Sequence, residues 1–160
     1  MIKRVLSLFL AVMMLVSLSG CSEIAASAVF LFFAATDAND DRAAKADIFQ
    51  FVCENEEELR QAIEAGDFSA FEDKGIVKNI NADHEAVDFS CGGAGMGSAT
   101  AYVGFYFTSD NDITAAWCAP PSTDAMTRLG NGYEWREPNG DNRYYTEQIC
   151  ENFYYYEASF

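Results

Sequence analysis

The chain has 160 residues, of which half are hydrophobic and 14% are aromatic, and its formal net charge is −15. This length suffices for one compact domain, and the aromatic content argues against an acidic disordered chain. So large a negative charge repels phosphate groups, so we expect no binding to nucleic acid.

The first 20 residues have the three-part layout of an export signal. Lys3 and Arg4 give a positive start, residues 5–16 form an apolar run, and small residues then lead to Cys21. If residues 1–20 are removed, the loss of these two positive charges takes the net charge from −15 to −17.

The end of this segment, Leu18-Ser19-Gly20-Cys21, resembles the lipobox of bacterial lipoproteins. The resemblance implies that the Cys21 thiol receives diacylglycerol, that a peptidase cuts before it, and that fatty acyl chains such as palmitate anchor the protein to the outer side of the cell membrane. The alternative is an ordinary signal peptide that happens to contain a cysteine.

A second apolar stretch, residues 24–36, follows the lipobox. It is too short to span a bilayer, which needs about 20 residues. We expect it to pack in the domain or to lie at the lipid surface, with a single uncleaved spanning helix as the less favoured alternative. The predicted organisation is a signal peptide at 1–20, an anchored segment at 21–42 and one domain at 43–160.

The domain begins with a predicted amphipathic helix over residues 43–65. Apolar residues recur there at spacings of four and seven, which places them on one face, and Gly66 is a natural end. A short second helix is predicted over 67–74, with Asp67 as its N-cap and Gly75 as its C-cap.

From residue 76 the pattern becomes that of β-strands. The predicted strands are 76–80, 86–89, 100–108, 113–117, 132–135, 142–147 and 153–160. Helices followed by antiparallel strands predict an α+β fold, in which the helix, with the short second helix, packs on a small sheet.

Four cysteines remain after Cys21, and they are the candidates for disulfides: Cys53, Cys91, Cys118 and Cys150. An exported domain with an even number of cysteines is expected to form two bridges, and the sequence does not choose among the three connectivities. A zinc site is disfavoured, because the chain has no Cys-x-x-Cys pair and only one histidine.

The glycine-rich stretch 91–98 lacks the spacing of a phosphate-binding loop or of a dinucleotide fingerprint. We expect a wide turn there, where glycines let another backbone or a ligand come close. Catalysis by Cys91 would require His84 as a base. Asp37, Asn39 and Asp41 imitate the start of a calcium loop without the glycine and glutamate it needs later, so we expect no metal or cofactor.

Aromatic and acidic residues crowd the C-terminal third. A candidate binding surface consists of Tyr133, Trp135, Tyr144 and Tyr145, although burial in the core is the favoured alternative for these rings. The acids most suited to glycoside hydrolysis are Glu134, Glu137, Asp141 and Glu147.

The segments 88–93, 104–107, 140–147 and 153–160 resemble a group of small lipoproteins from gut Firmicutes. The resemblance covers roughly residues 49–160, carries no assigned activity, and implies a position on the outer face of a Gram-positive membrane. The expected function is a non-enzymatic module that binds a ligand or an envelope partner such as a protein or glycan. The alternative is a cell-envelope hydrolase acting on glycan or peptide through acidic residues.

Overall fold

The computed structural model describes residues 41–72, 75–82, 86–96 and 99–160. The predicted signal peptide, Cys21 and the apolar stretch 24–36 lie outside these ranges, as does His84. In chain order the elements are helix α1 (Lys45–Ala65) and strands β1 (Asn79–Asn81), β2 (Ala86–Met96), β3 (Ala99–Thr108), β4 (Thr127–Leu129), β5 (Gly132–Arg136), β6 (Arg143–Cys150) and β7 (Phe153–Ser159). The predicted α+β class is confirmed.

The strands form one antiparallel sheet with the order β1-β2-β3-β7-β6-β5-β4. Two meanders, β1 to β3 and β4 to β7, are joined where β3 pairs with β7. The centre of the sheet is therefore built from the two strands richest in aromatic residues. Residues 109–126, which we call the strap, connect β3 to β4 and contain one short 3-10 helix (Thr123–Ala125).

Helix α1 covers one face of the sheet. Its buried residues recur at helical spacing (Ile48, Val52, Leu59 and Ala62), and they pack against a phenylalanine core that includes Phe89, Phe105 and Phe153. The helix ends at Gly66, whose left-handed backbone (φ +64°) turns the N–H of the next residue, Asp67, back to the carbonyl of Ala62 at 3.1 Å. The predicted helix over 43–65 is confirmed to within two residues.

The strap covers the opposite face, which is built mainly from tyrosines. The rings of Tyr106, Tyr144, Tyr154 and Tyr156 are buried there with Ala116 and Cys118 of the strap. The predicted strand 113–117 is wrong. Its alternating apolar side chains pack over the tyrosines, and the backbone that carries them takes an irregular path instead of a strand.

The predicted second helix over 67–74 is also wrong, because the described residues 69–72 form turns instead. Asp67 accepts from the N–H of Ser69 at 3.1 Å, an Asx-type turn that does not continue as a helix. Phe68 and Phe71 nevertheless pack in the phenylalanine core.

Residues 91–96 of the glycine-rich stretch belong to strand β2, where a wide turn was expected, and the strand contains a bulge between Ser90 and Gly93. Gly92, with φ +116°, has no room for a side chain because the backbone of Asp41 and Arg42 crosses directly over it. The N–H of Ala43 donates to the carbonyl of Cys91 at 2.8 Å. The expected close approach of a second backbone is therefore made by the protein's own chain.

The prediction of two disulfides is wrong, because the four candidate cysteines are all free: Cys53, Cys91, Cys118 and Cys150. Cys91 lies in the phenylalanine core, whereas Cys118 lies in the tyrosine core on the opposite face. A single sheet separates these two thiols, so they cannot meet without unfolding. Cysteine spacing along the chain does not encode which face of the sheet each residue occupies.

Candidate functional site

A cleft of about 410 Å³ opens beside the first turn of α1, over strands β4 to β7. The side chains that matter for its chemistry are Lys45, Leu129, Glu134, Arg143, Tyr145 and Glu157. Glu134, Tyr145 and Glu157 are register partners across β5, β6 and β7, so they form a row on one face. Leu129 is half exposed and adds an apolar wall.

Two arginines hold the carboxylate of Glu134. Arg136 Nε donates to Oε2 at 2.9 Å, and Arg143 Nη2 donates to Oε1 at 2.8 Å. These hydrogen bonds from Arg136 and Arg143 lower the pKa of Glu134. The cleft therefore presents a carboxylate that is ionised at neutral pH and is already paired with cations.

Lys45 closes the other end of the cleft within a cage of aromatic rings. Its Nζ lies 5.3 Å from the ring centre of Phe49, 5.0 Å from that of Tyr145 and 5.3 Å from that of Tyr155. The ammonium also forms an ion pair with the nearly buried carboxylate of Glu147. This contact ties the start of α1 to β6 and β7.

The same carboxylate accepts from Tyr145 Oη at 2.6 Å. Burial opposes ionisation of Glu147, but the hydrogen bonds from Lys45 and Tyr145 outweigh it and lower its pKa. Burial, aided by the contact with Glu147, raises the pKa of Tyr145 to about 12. Neither group is poised to exchange a proton near neutral pH.

The predicted aromatic surface is not one surface. Tyr144 is buried among the tyrosines, with Trp135 packed half-buried beside it. Tyr133 precedes Trp135 by two residues, so it lies on that face and is 39% exposed. Tyr145 points to the opposite face and into the cleft. Burial as core, the favoured alternative, applies fully to Tyr144.

The four predicted acids are also separated. Glu134 lines the cleft, and Glu147 lies behind it against Lys45. Glu137 and Asp141 belong to the turn between β5 and β6, where the N–H of Glu137 donates to the carbonyl of Asn142. No two of these acids form a facing pair about the cleft.

Cys91 is not an activated nucleophile. Its side chain is fully buried, and burial raises the pKa of its thiol to about 12. Among the described residues, no group of three or more histidine, cysteine or acidic side chains is arranged to hold a metal ion. Asp41, the described member of the imitated calcium loop, instead accepts from the N–H of Gly93 at 2.8 Å.

Sequence reasoning missed Lys45, Arg143 and Glu157 as cleft residues. For Arg143 the available signal was the alternation Arg143-x-Tyr145-x-Glu147 on a predicted strand, because alternate residues of a strand lie on one face. It also missed Asp88, a carboxyl buried on the tyrosine face. The signal there was an acid inside the apolar strand 86–89.

No family model, curated protein or solved structure matches this chain. In the part of the chain that the structure describes, no helix combines the length and apolar character needed to cross a membrane.

Proposed function

We propose that this protein is a lipid-anchored module on the outer face of the cell membrane. It binds a ligand or an envelope partner in the cleft, without catalysis. The anchor is proposed at Cys21, from the lipobox-like residues 18–21. The cleft is proposed as the binding site because it gathers cations, carboxylates and apolar surface on an otherwise acidic protein.

The observation that carries the non-enzymatic proposal is the state of Glu134. Acid–base hydrolysis of a glycosidic bond needs a carboxyl that keeps its proton until the leaving group departs. Glu134 is held ionised by Arg136 and Arg143. It therefore suits the positioning of Arg143 in the cleft better than the donation of a proton.

The mixture of charges defines the ligand chemistry. Lys45 and Arg143 are each about half exposed and retain donor capacity for a carboxylate. Glu157 offers an acceptor for an amine, and the ring of Tyr145 offers a face for a sugar or an apolar group. Muropeptides, the cell-wall peptides that are linked to an amino sugar, bear both carboxylates and amines and therefore have this combination.

Soluble muropeptides are therefore the probe for a binding test. We expect saturable heat release in calorimetry with the wild type, and at least about a tenfold weaker affinity with Arg143→Ala, since a charged hydrogen bond is removed. Arg128→Ala is the matched control, because this exposed arginine on β4 is paired with Tyr133 and does not line the cleft. Equal affinity in all three proteins, or no binding at all, contradicts the proposal.

The hydrolase alternative is tested on the same samples. Mass spectrometry of the muropeptides after long incubation is expected to show no cleavage. Cleavage by the wild type that is lost in Glu134→Gln would replace the binding module with an enzyme.

The anchor is tested separately. Non-reducing mass spectrometry of the protein purified from membranes is expected to show an N-terminus at Cys21 with fatty acyl chains and four free thiols. A Cys21→Ser variant is expected to lose both the lipid and the membrane fractionation. An intact starting methionine on the wild-type protein would contradict this part of the proposal.

A further inference from the structure

The tyrosine face contains an ionisable group that the cleft does not use. Asp88 lies on β2 with 7% of its surface exposed. One carboxyl oxygen, Oδ1, accepts from Tyr156 Oη at 3.0 Å. The other, Oδ2, is fully buried and has no hydrogen-bond partner among the described residues. A buried charge in this position would be poorly compensated.

A chain of hydrogen bonds leads from Asp88 to the surface. Trp117 of the strap donates from Nε1 to Tyr156 Oη at 3.3 Å, and the Tyr156 hydroxyl in turn donates a hydrogen bond to Asp88 Oδ1. Trp117 is half exposed and packs edge-on against Tyr102 at 5.4 Å. The strap is thus connected to the buried carboxyl by a single tyrosine hydroxyl.

Gly104 makes this geometry possible. It is the register partner of Tyr156 across β3 and β7. A Cβ atom at this position would lie 2.8 Å from the Tyr156 ring. The absence of a side chain lets the ring lie flat over β3 and reach Asp88 on the next strand.

We propose that Asp88, Tyr156 and Trp117 form a proton-controlled latch, which holds the strap closed while Asp88 is protonated and releases it when Asp88 loses its proton to water. In the closed form Asp88 is neutral, so the missing partner at Oδ2 costs little. Once the carboxylate forms, lifting the strap hydrates it, and hydration offsets the lost contacts of Trp117.

The groups around Asp88 indicate that the proton controlling the strap is the one on the Asp88 carboxyl. Burial raises its pKa to about 7, although the hydrogen bond from Tyr156 opposes the shift. The groups that face it from neighbouring elements keep their protons, because burial raises the pKa of Tyr106 on β3, Tyr156 on β7 and Cys118 on the strap.

The remaining neighbours do not change this assignment. Asn81, its register partner on β1, does not ionise. On β2 itself, burial keeps the Cys91 thiol protonated. The exposed Lys78 amine interacts with Cys91 and donates to the carbonyl of Gly75. Asp88 is therefore the described group on this face whose charge changes near neutral pH.

The test uses the full chain with 5-fluorotryptophan at both tryptophan positions. We expect the ¹⁹F resonance of Trp117 to shift toward the solvent-exposed value between about pH 5 and about pH 9, with a midpoint near 7. Trp135, on β5, is the internal control and is expected to show no such transition. In Asp88→Asn, an isostere that cannot ionise, the Trp117 transition is expected to vanish.

Two results would overturn the latch: a Trp117 resonance that is flat across this range, or a transition that persists in Asp88→Asn. A second measurement guards against a variant that does not fold. The ¹³C carboxyl resonances of the wild type are expected to contain one aspartate that titrates in step with Trp117. If every aspartate has completed its titration below about pH 5.5, the proposal fails.

Discussion

The two faces of the sheet are closed in different ways. The helix face is filled mainly by phenylalanine rings, such as those of Phe89 and Phe105, whose centres lie 4.5 Å apart, and a regular helix covers it. The strap face is filled by tyrosines, whose hydroxyls reach the backbone that covers them. Tyr144 Oη donates to the carbonyl of Ile113 at 3.3 Å, and Tyr154 Oη donates to the Asn111 side chain at 3.1 Å.

This difference follows from what each cover needs. A helix satisfies its own backbone, so the face beneath it can be wholly apolar. An irregular segment leaves carbonyls unpaired, and hydroxyls from the sheet supply the donors. The phenylalanine face should therefore dominate stability, whereas the tyrosine face should control the order and pH response of the strap.

The largest expected effect is on the phenylalanine face. Phe105→Ala removes a fully buried ring at the centre of that core, so we expect the free energy of unfolding to fall by about 3–5 kcal/mol. Urea denaturation measures it. Leu129→Ala, at a half-exposed position, is the control and should change stability by less than about 0.5 kcal/mol. A smaller loss in Phe105→Ala than in tyrosine-face variants would reverse the comparison.

Asp88→Asn should make the stability of the tyrosine face insensitive to neutral pH. Because the folded-state pKa of Asp88 is raised to about 7, the folded protein holds this proton after the unfolded chain has released it. Its contribution to stability therefore falls as pH rises from about 4 to about 7 and is constant above that. We expect Asp88→Asn to gain about 2 kcal/mol on the wild type between about pH 5 and about pH 8.

Urea denaturation of both proteins at each pH measures this gain, and the difference between them cancels the titration of the groups that the two proteins share. Acids whose pKa is lowered, such as Glu134 and Glu147, act in the opposite direction and lose their stabilising effect as the solution becomes acidic. Parallel pH profiles for the two proteins would show that Asp88 has an ordinary pKa.

Lys45→Met should loosen the attachment of the helix without emptying the core. The variant keeps an unbranched side chain against the rings of Phe49 and Tyr155 but removes the ion pair with Glu147. We expect a loss of about 1 kcal/mol, since the ammonium is half exposed. Lys78→Met, at an exposed position, is the matched control. Equal stability of the two variants would show that the cage contributes nothing.

A comparably small effect is expected from Tyr144→Phe. It removes only the hydroxyl that donates to the Ile113 carbonyl, so we expect a loss of about 0.5–1.5 kcal/mol together with faster hydrogen exchange in the strap. Tyr133→Phe, at an exposed position on β5, should change neither quantity. Unchanged exchange in Tyr144→Phe would mean that apolar packing alone orders the strap.

The regular parts of the fold were predictable from the sequence because their patterns are local. The spacing of Ile48, Val52 and Leu59 predicted α1, and the aromatic runs predicted β3 and β7. The strap misled the same reasoning, since Ile113 and Trp117 alternate as in a strand. Their partners are tyrosines on distant strands, and a local pattern holds no information about them.

The site was harder to predict than the fold. The adjacent residues Tyr144 and Tyr145 must point to opposite faces of a strand, but the sequence does not tell which face the strap buries and which face borders the cleft. Lys45 precedes Glu147 by 102 residues, so no spacing rule could join them. Asp88 was detectable as an acid in an apolar strand, but its burial depends on a strap that was predicted as a strand.

The outermost strands of the sheet have a consequence for crowded surroundings. Both β1 and β4 are only three residues long, and all three residues of β4 are exposed. Such short edge strands offer few free amides and carbonyls with which a strand of a second chain could pair. Neighbouring molecules at high density therefore have little opportunity to join their sheets edge to edge into fibrils, and a specific partner must bind through side chains.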